Sequence, residues 1–491
     1  MQTLEENSEF FGVSKLKLMQ NAGKNSAKAI KKIMIKKRAR EKEVLVIAGQ
    51  GNNGGDGFVI ASCLNCNVYF VGDKKKLKKE ALVNYKKLKK SKFIDAKDLN
   101  SCLSNAKIVV DALLGTGIKG KVKENYARVI RKVNKANVYK ISIDIPSGLD
   151  ANKGKGSLHI KPNLLLELHD NKFGLKHLKK FGSKKLVKKV IDINIPEKAI
   201  NGVGPGELKL IIKQRKPNSH KGNYGKILII AGSEEYAGAP VLVAKALVAL
   251  RTGTDLVTIA APSNVGWIIH KYLPDLIVKK FPCKFLGKEH VKDVLKLVKN
   301  NDVIVFGPGF GRNSDEFVNG IIDKLVKMKK PMVLDADALK AIDKNNLRKL
   351  KNTILTPHSK EFELMFGKKL PKKLNEKIKT VKMFAKNNVI LLKGNPDIIA
   401  YKNQIKLNYT GNPAMTVGGT GDVLAGLCAG FLAQSKYVDG NTIKYDVFNS
   451  ACSAAFVDGL AGDKVEKVVG NGLIASDLFK EIPKVIVKYT N

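Results

Sequence analysis

Between Thr410 and Leu427 the chain reads TGNPAMTVGGTGDVLAGL, and the turn Gly418-Gly419-Thr420-Gly421-Asp422 within it is suited to an anion. Three glycines in four positions let the backbone approach a ligand with no Cβ in the way. The apolar run VLAGLCAGFLA that follows predicts a helix. The turn therefore sits where unpaired N–H groups and the positive end of the helix dipole favour a phosphate. Asp422, in the first turn, would lie beside the bound phosphoryl group and take the proton of an attacking hydroxyl. That is the chemistry of a small-molecule kinase. A lone Asp there serves equally well to complement the dipole, so the reading depends on its surroundings.

A second set of residues lies in the first half: Gly51-Asn52-Asn53-Gly54-Gly55-Asp56-Gly57, Asp111 with Gly115-Thr116-Gly117-Ile118-Lys119-Gly120, and Asp144-Ile145-Pro146-Ser147-Gly148. GNNGGDG before a helix can wrap a pyrophosphate, although it is not the GxGxxG dinucleotide fingerprint. Asn53, Asp111 and Ser147 offer oxygens of the kind a hard monovalent or divalent cation takes. Asp144 ends a buried strand, where desolvation would raise a carboxyl into the range of a general acid or base. Each aspartate alone is as well explained as a turn cap; three such loops at one sheet edge make a site.

The elements that must position these residues follow from periodicity. Residues 12–38 carry a helical pattern, and EVLVIAG, NVYFVG, KIVVDAL and VYKISIDIP read as strands alternating with helices, the first of which starts near Gly57. Short apolar runs ending in Gly, Pro, His or Asp mark buried parallel strands, so the predicted class is α/β with doubly wound sheets and ligands at the C-terminal strand ends. After the Gly- and Pro-rich stretch 196–217 the alternation restarts with KILIIAG, DLVTIAAP, DVIVFGPG, MVLDADAL, NTILTPH and VILLKG. A chain of 491 residues exceeds one ordinary core, and the boundary is expected near Gly206. That gives domains 1–206 and 207–491, each an αβα sandwich.

Hydrophobic content of 44% with 27% charged residues is that of soluble packed domains. No apolar run reaches membrane-spanning length and the first residues do not read as a signal peptide, so a cytoplasmic protein without membrane attachment is expected. The six scattered cysteines do not form a disulfide framework, and Cys63 and Cys66, a CxxC with no second pair, read as buried thiols rather than metal ligands. The net charge of +44 admits a nucleic-acid reading. Its source is short Lys runs without interleaved aromatics, which reads instead as solvated Lys faces with no nucleic-acid partner.

GNNGGDG, DALLGTGIKG and DIPSGLD, in that order, resemble the NAD(P)H-hydrate epimerase domain, the YjeF N-terminal family. HKGNYGKILIIAGS, YAGAPVL, GPGFGR, DADAL, LTPHSKE, LLKG and GGTGDVLAG resemble the NAD(P)H-hydrate dehydratase domain, a relative of ribokinase. Together they cover nearly the whole chain. The resemblance implies a Rossmann-like N-terminal domain and a ribokinase-like C-terminal one. It implies substrate contacts at Asn52, Asn53, Gly54, Gly55 and Asp56, at Gly115, Thr116, Gly117, Ile118, Lys119, Gly120 and Lys121, and at Asp144. K+ would be held by Asn53, Asp111 and Ser147. In the C-terminal half it implies hydrate contacts at Ala239, Gly309, Pro357, His358 and Glu361, nucleotide contacts at Lys393, Gly394, Asn395, Pro396, Asp397 and Gly421, and Asp422 as the catalytic residue in contact with the hydrate. Gln20 in LMQNAG, the stretch Lys161–Leu175 and KGNPD depart from the family's usual residues.

The implied reaction repairs hydrated nicotinamide nucleotides. Asp422 would deprotonate the C6 hydroxyl of the S hydrate of NADH or NADPH, ADP or ATP with Mg2+ would phosphorylate it, and phosphate would leave. The N-terminal domain would interconvert the R and S forms, with Asp144 as acid–base group, aided by a lysine of Lys74–Lys76. A homo-oligomer is implied. Two rival readings are a vitamin-precursor or sugar kinase fused to a nucleotide-binding domain, and a basic RNA-binding protein.

Overall fold

A computed structural model describes residues 1–490 except 90–91, 96–97, 118–119, 152–153, 155, 171–185, 249–251, 312–313 and 441. The chain divides into two compact units, Phe11–Pro196 and Met1–Phe10 with Glu197–Asn491. The division thus falls after Pro196, at the start of the Gly- and Pro-rich stretch 196–217 and about ten residues before Gly206, and the first ten residues group with the C-terminal unit.

The N-terminal unit holds six parallel strands: β1 Val44–Gly49, β2 Asn67–Val71, β3 Ile108–Ala112, β4 Tyr139–Ile143, β5 Leu164–Leu168 and β6 Val187–Ile191. Their order is β2-β1-β3-β4-β5-β6. All six residues of β1 are buried, as a strand covered on both faces requires. The GNNGGDG segment is not a loop. The helix after β1 begins at Asn52 and runs to Leu64, because the glycines are used for close packing: a Cβ on Gly55 would meet Met19 Sδ at 2.5 Å and one on Gly57 would meet Ala112 Cβ at 2.8 Å. Tertiary contact overrides their low helix propensity.

The main sheet of the C-terminal unit has nine strands among the described residues: β7 Lys226–Ile230, β8 Leu256–Pro262, β9 Ile277–Phe281, β10 Val303–Phe306, β11 Met332–Leu334, β12 Thr353–Leu355, β13 Val389–Leu392, β14 Asp397–Tyr401 and β15 Gln404–Asn408. The order is β15-β14-β13-β12-β11-β10-β7-β8-β9, antiparallel only in the two pairings that join β13, β14 and β15. Alternate residues serve opposite faces. Ile227, Ile229, Val303 and Val305 join one core, with the helices Thr420–Gln434 and Val447–Val469, while Leu228, Ile230, Ile304 and Phe306 join the other. From Val423 to Ala433 every residue of the helix that carries Asp422 is buried. That helix end is consequently fixed against the sheet.

The helix Gln2–Phe10 completes this unit. Asn7, fully buried, donates to Glu207 Oε2 at 3.0 Å and accepts from Gly206 N at 2.8 Å, and Glu207 Oε1 pairs with Lys406 at 3.1 Å. Phe10 meets the rings of Phe456 and Tyr489 edge-on at 5.2 and 5.9 Å. Phe10→Ala is expected to cost the C-terminal unit about 2 kcal/mol, less than a fully enclosed Phe because the ring is only partly buried. Urea unfolding of the full chain, followed by a probe of that unit, measures it; an unchanged midpoint would contradict the assignment of this helix.

Candidate active site

Strands β11, β12 and β13 are parallel neighbours, so their C-terminal ends line up at one edge of the sheet. The next residues meet there. Lys393, after β13, brings Nζ to 3.0 Å from Oδ1 of Asp335, which follows β11, and Thr356, after β12, donates its hydroxyl to the same oxygen at 2.8 Å. Ala336 turns the chain with φ 51, a conformation that costs a non-glycine residue about 1–3 kcal/mol and carries the chain from Asp335 to Asp337. Glu361, also buried, caps the helix Ser359–Phe366 reciprocally with His358, and its Oε2 stands 4.0 Å from Lys393 Nζ. The N–H of Lys393 donates to the carbonyl of Pro357 at 2.9 Å.

The helix Thr420–Gln434 delivers Asp422 to this group. Gly419 has φ +93, and a Cβ there would lie 2.5 Å from Leu242 Cδ1, so the turn needs glycine. A Cβ on Gly421 would lie 3.3 Å from Lys393 Nζ and 3.9 Å from Asp335 Oδ2, which sets the helix N-terminus against the ion pair. Burial, with the charge of Asp335 behind it, raises the Asp422 carboxyl to about 7; Lys393 opposes the rise and Asp337 adds to it. Burial alone would depress the Lys393 ammonium, but Asp335, Glu361 and Asp422 hold it above its ordinary value. Among the described residues nothing hydrogen-bonds the Asp422 carboxylate. It is free to accept a proton.

On one side of this centre Gly394 N donates to Asp397 Oδ1 at 2.8 Å, and Asn408 donates to Oδ2 at 3.0 Å. Burial pushes the Asp397 carboxyl up to about 6. The peptide Asn395–Pro396 is cis. On the other side Gly309 has φ +68, and its Cβ would come 3.0 Å from Ala239 Cβ. The residues expected from sequence in this half therefore converge. Asp335, Asp337, Thr356 and Lys340 were not singled out, although the alternate carboxylates of DADAL at a strand end were the signal.

In the N-terminal unit β1, β3 and β4 are adjacent, and their following loops interlock. Asn53 donates to Leu114 O at 3.0 Å; Ser147 Oγ accepts from Leu114 N at 2.8 Å and donates to Asp111 Oδ1 at 2.5 Å. Asp111 also accepts from Ser142 Oγ, Ser147 N and Leu113 N. Burial nevertheless leaves its carboxyl above the ordinary range. Asn53 Oδ1 is buried with no partner among the described residues. Asn52, Thr116, Gly117, Gly120 and Lys121 are exposed, and Gly54, Gly55 and Asp56 are buried in packing. Ile118 and Lys119 lie outside the described residues. Asp144, with φ 63, is half-buried rather than enclosed as expected, and its Oδ1 accepts from Leu168 N at 3.3 Å. The lysines Lys74–Lys76 follow β2, three strands from β4, roughly 14 Å across the sheet, so the structure does not bring them to Asp144.

Cys66 is buried, which pushes its thiol to about 12, and no cluster of three or more His, Cys, Asp or Glu suited to a metal occurs among the described residues. None of the described helices is long and apolar enough to cross a membrane.

A mostly parallel α/β sheet of ribokinase-like type thus carries a carboxylate at a glycine-lined helix N-terminus, backed by a Lys–Asp ion pair. The family model described as NAD(P)H-hydrate dehydratase matches residues 227–484, and that described as YjeF-related protein N-terminus matches residues 15–174. The bifunctional NAD(P)H-hydrate repair enzyme of Archaeoglobus fulgidus is 37% identical over 99% of this chain and 97% of its own. Its namesake from Methanothermobacter thermautotrophicus is 36% identical over 99% and 94%. Among solved structures, a hypothetical protein of Streptococcus mutans matches 59% of this chain and 100% of its own, with TM-score 0.50 and 26% identity. The chain belongs to the family of bifunctional NAD(P)H-hydrate repair enzymes.

Proposed function

We propose that the C-terminal unit dehydrates the S epimer of hydrated NADH or NADPH at the expense of ADP or ATP, and that the N-terminal unit interconverts the R and S epimers. The observation that carries this reading is Asp422, a free carboxylate held near neutrality beside Gly418–Gly421 and the Lys393–Asp335 pair. Hydroxide is a poor leaving group. Asp422 takes the proton of the C6 hydroxyl as its oxygen attacks the terminal phosphorus, and the bond from that phosphorus to the nucleotide breaks. The N–H groups of the glycine turn face the developing charge. Phosphate then departs with the C6–O electrons as the ring nitrogen's lone pair forms a C=N bond, and loss of a proton from C5 restores the dihydronicotinamide.

Ala239, Gly309, Pro357, His358 and Glu361 contact the hydrate in this reading, and Lys393–Asp397 with Gly421 contact the nucleotide. Mg2+ would arrive on the phosphates of ADP or ATP, held by phosphate oxygens and water, as suits an ion that dehydrates reluctantly. Carried in this way, the ion would neutralise charge on the phosphates. Asp144 is the acid–base group of epimerisation, with the hydrate against Asn52–Asp56 and Gly115–Lys121. The orphaned Asn53 Oδ1 fits K+; Asp111, already accepting four hydrogen bonds, would share its carboxylate with the Ser147 hydroxyl. A cytoplasmic homo-oligomer acting on small molecules, with no nucleic-acid or membrane partner, accompanies the reading.

Recovery of dihydronicotinamide absorbance from chemically hydrated NADH tests it, with ADP and ATP compared and K+ replaced by a bulky organic cation. Recovery must require nucleotide, and conversion of the R epimer must slow without K+. Because Asp422 acts deprotonated, kcat/KM should rise through pH about 7 and level above it, falling about tenfold per unit below. Stable accumulation of a phosphorylated product would favour the kinase reading instead.

A further inference from the structure

The proposed dehydration needs a cation for the diphosphate of the hydrated dinucleotide: beside Asp422 stand the carboxylates Asp335, Asp337 and Glu361, and Lys393 is paired with Asp335. Gly309 and Gly311, with φ +68 and +80, follow β10, whereas the nucleotide segment follows β13, three strands and about 14 Å away. A Cβ on Gly309 would stand 2.9 Å from the carbonyl of Tyr236, and one on Gly311 would stand 3.8 Å from that residue's ring. The ring therefore lies against this turn, yet Tyr236 is 50% exposed. An aromatic ring held at a crevice with one side open offers a stacking surface.

The same turn is tied to a cation. Gly311 N donates to Asp337 Oδ2 at 3.0 Å, and Asp337 Oδ1 pairs with Lys340 Nζ at 2.9 Å. Lys340 remains about half exposed, unlike Lys393, which is committed to Asp335. Asp337 is close enough for its charge to be felt at Asp422, so ring, turn and ammonium form one wall beginning at the reacting centre.

Building on the dehydratase reading, we propose that Tyr236 and Lys340 form the subsite for the hydrated dinucleotide, the Tyr236 ring packing on a ring of the substrate and the Lys340 ammonium meeting its diphosphate. The turn follows β10 and the nucleotide segment follows β13, so the two are specificity residues for the hydrate.

The test measures kcat and KM for hydrated NADH and, separately, for ADP, in the full chain and its Tyr236→Ala, Tyr236→Phe and Lys340→Met variants. Tyr236→Ala should raise KM for the hydrate about tenfold, and Tyr236→Phe should restore it. Lys340→Met should raise the same KM about fivefold at low salt, with the difference closing near 1 M salt, where the Debye length is about 3 Å. KM for ADP should stay within twofold in every variant. Hydrate KM values unmoved in both Tyr236→Ala and Lys340→Met, or a shift in the ADP value instead, overturn the subsite while leaving dehydration in place. A wild-type chain that turns over no hydrated NADH overturns the dehydratase reading itself.

Discussion

Asp422→Asn is expected to abolish dehydration, lowering kcat by about 10²- to 10⁴-fold, while epimerisation of hydrated NADH continues at the wild-type rate. Asn keeps the size and the hydrogen-bonding reach of the side chain but cannot take a proton at neutral pH. The remainder of the site should survive, since no described residue hydrogen-bonds the Asp422 carboxylate and its removal orphans nothing. Nucleotide binding should be retained or improved, because one negative charge near the phosphates is gone. Following the two epimers separately by chromatography distinguishes the activities. An Asn variant that dehydrates at near wild-type rate would remove Asp422 from the chemistry.

Lys393→Met should be the most damaging substitution for both stability and rate in the C-terminal unit. The ammonium is the cation that Asp335 and Glu361 share, at 3.0 and 4.0 Å, and both carboxylates are buried. Removing one partner of a buried pair typically costs about 3–5 kcal/mol, because the other charge is left enclosed and unmatched. Thr356 still donates to Asp335, which places the expected loss near the lower end, about 3 kcal/mol. The rate effect has a sign of its own. Lys393 lowers the Asp422 carboxyl toward its present value of about 7, so its loss should move the rising limb of the pH–rate profile upward as well as weaken nucleotide binding. Urea melts and a pH series on the variant check the two consequences separately. A limb that stays at pH 7 would mean that Asp422 does not feel this lysine.

The strands that carry the chemistry were legible because they are central. VLVIAG, IVVDA, KILII and VIVF are near-continuous apolar runs, as parallel strands covered on both faces must be. Two of the edges were not: VKKVI of β6 and IVKKF of β9 mix lysines with apolar residues because one side of each is open. Glycines misled in one place. GNNGGDG reads as a loop by propensity, yet Gly55 and Gly57 are helical because Met19 and Ala112 leave no room for a Cβ. That residues 1–10 pack with the C-terminal unit was not legible, because Asn7, Glu207 and Lys406 meet only through contacts about 200 residues apart, which no local pattern records. Gly418–Asp422 was legible as an anion turn from its own residues. That the buried Asp335 would raise Asp422 was not, since the pair depends on the helix Thr420–Gln434 packing against β11.

Isotope transfer tests the central claim most directly. Hydrated NADH carrying 18O in its C6 hydroxyl is turned over once with ADP, and the products are analysed by mass spectrometry. Phosphorylation of that oxygen followed by departure of phosphate predicts the label in inorganic phosphate, one atom per NADH formed. Label recovered in water, with unlabelled phosphate, would mean that the hydroxyl leaves without ever being phosphorylated.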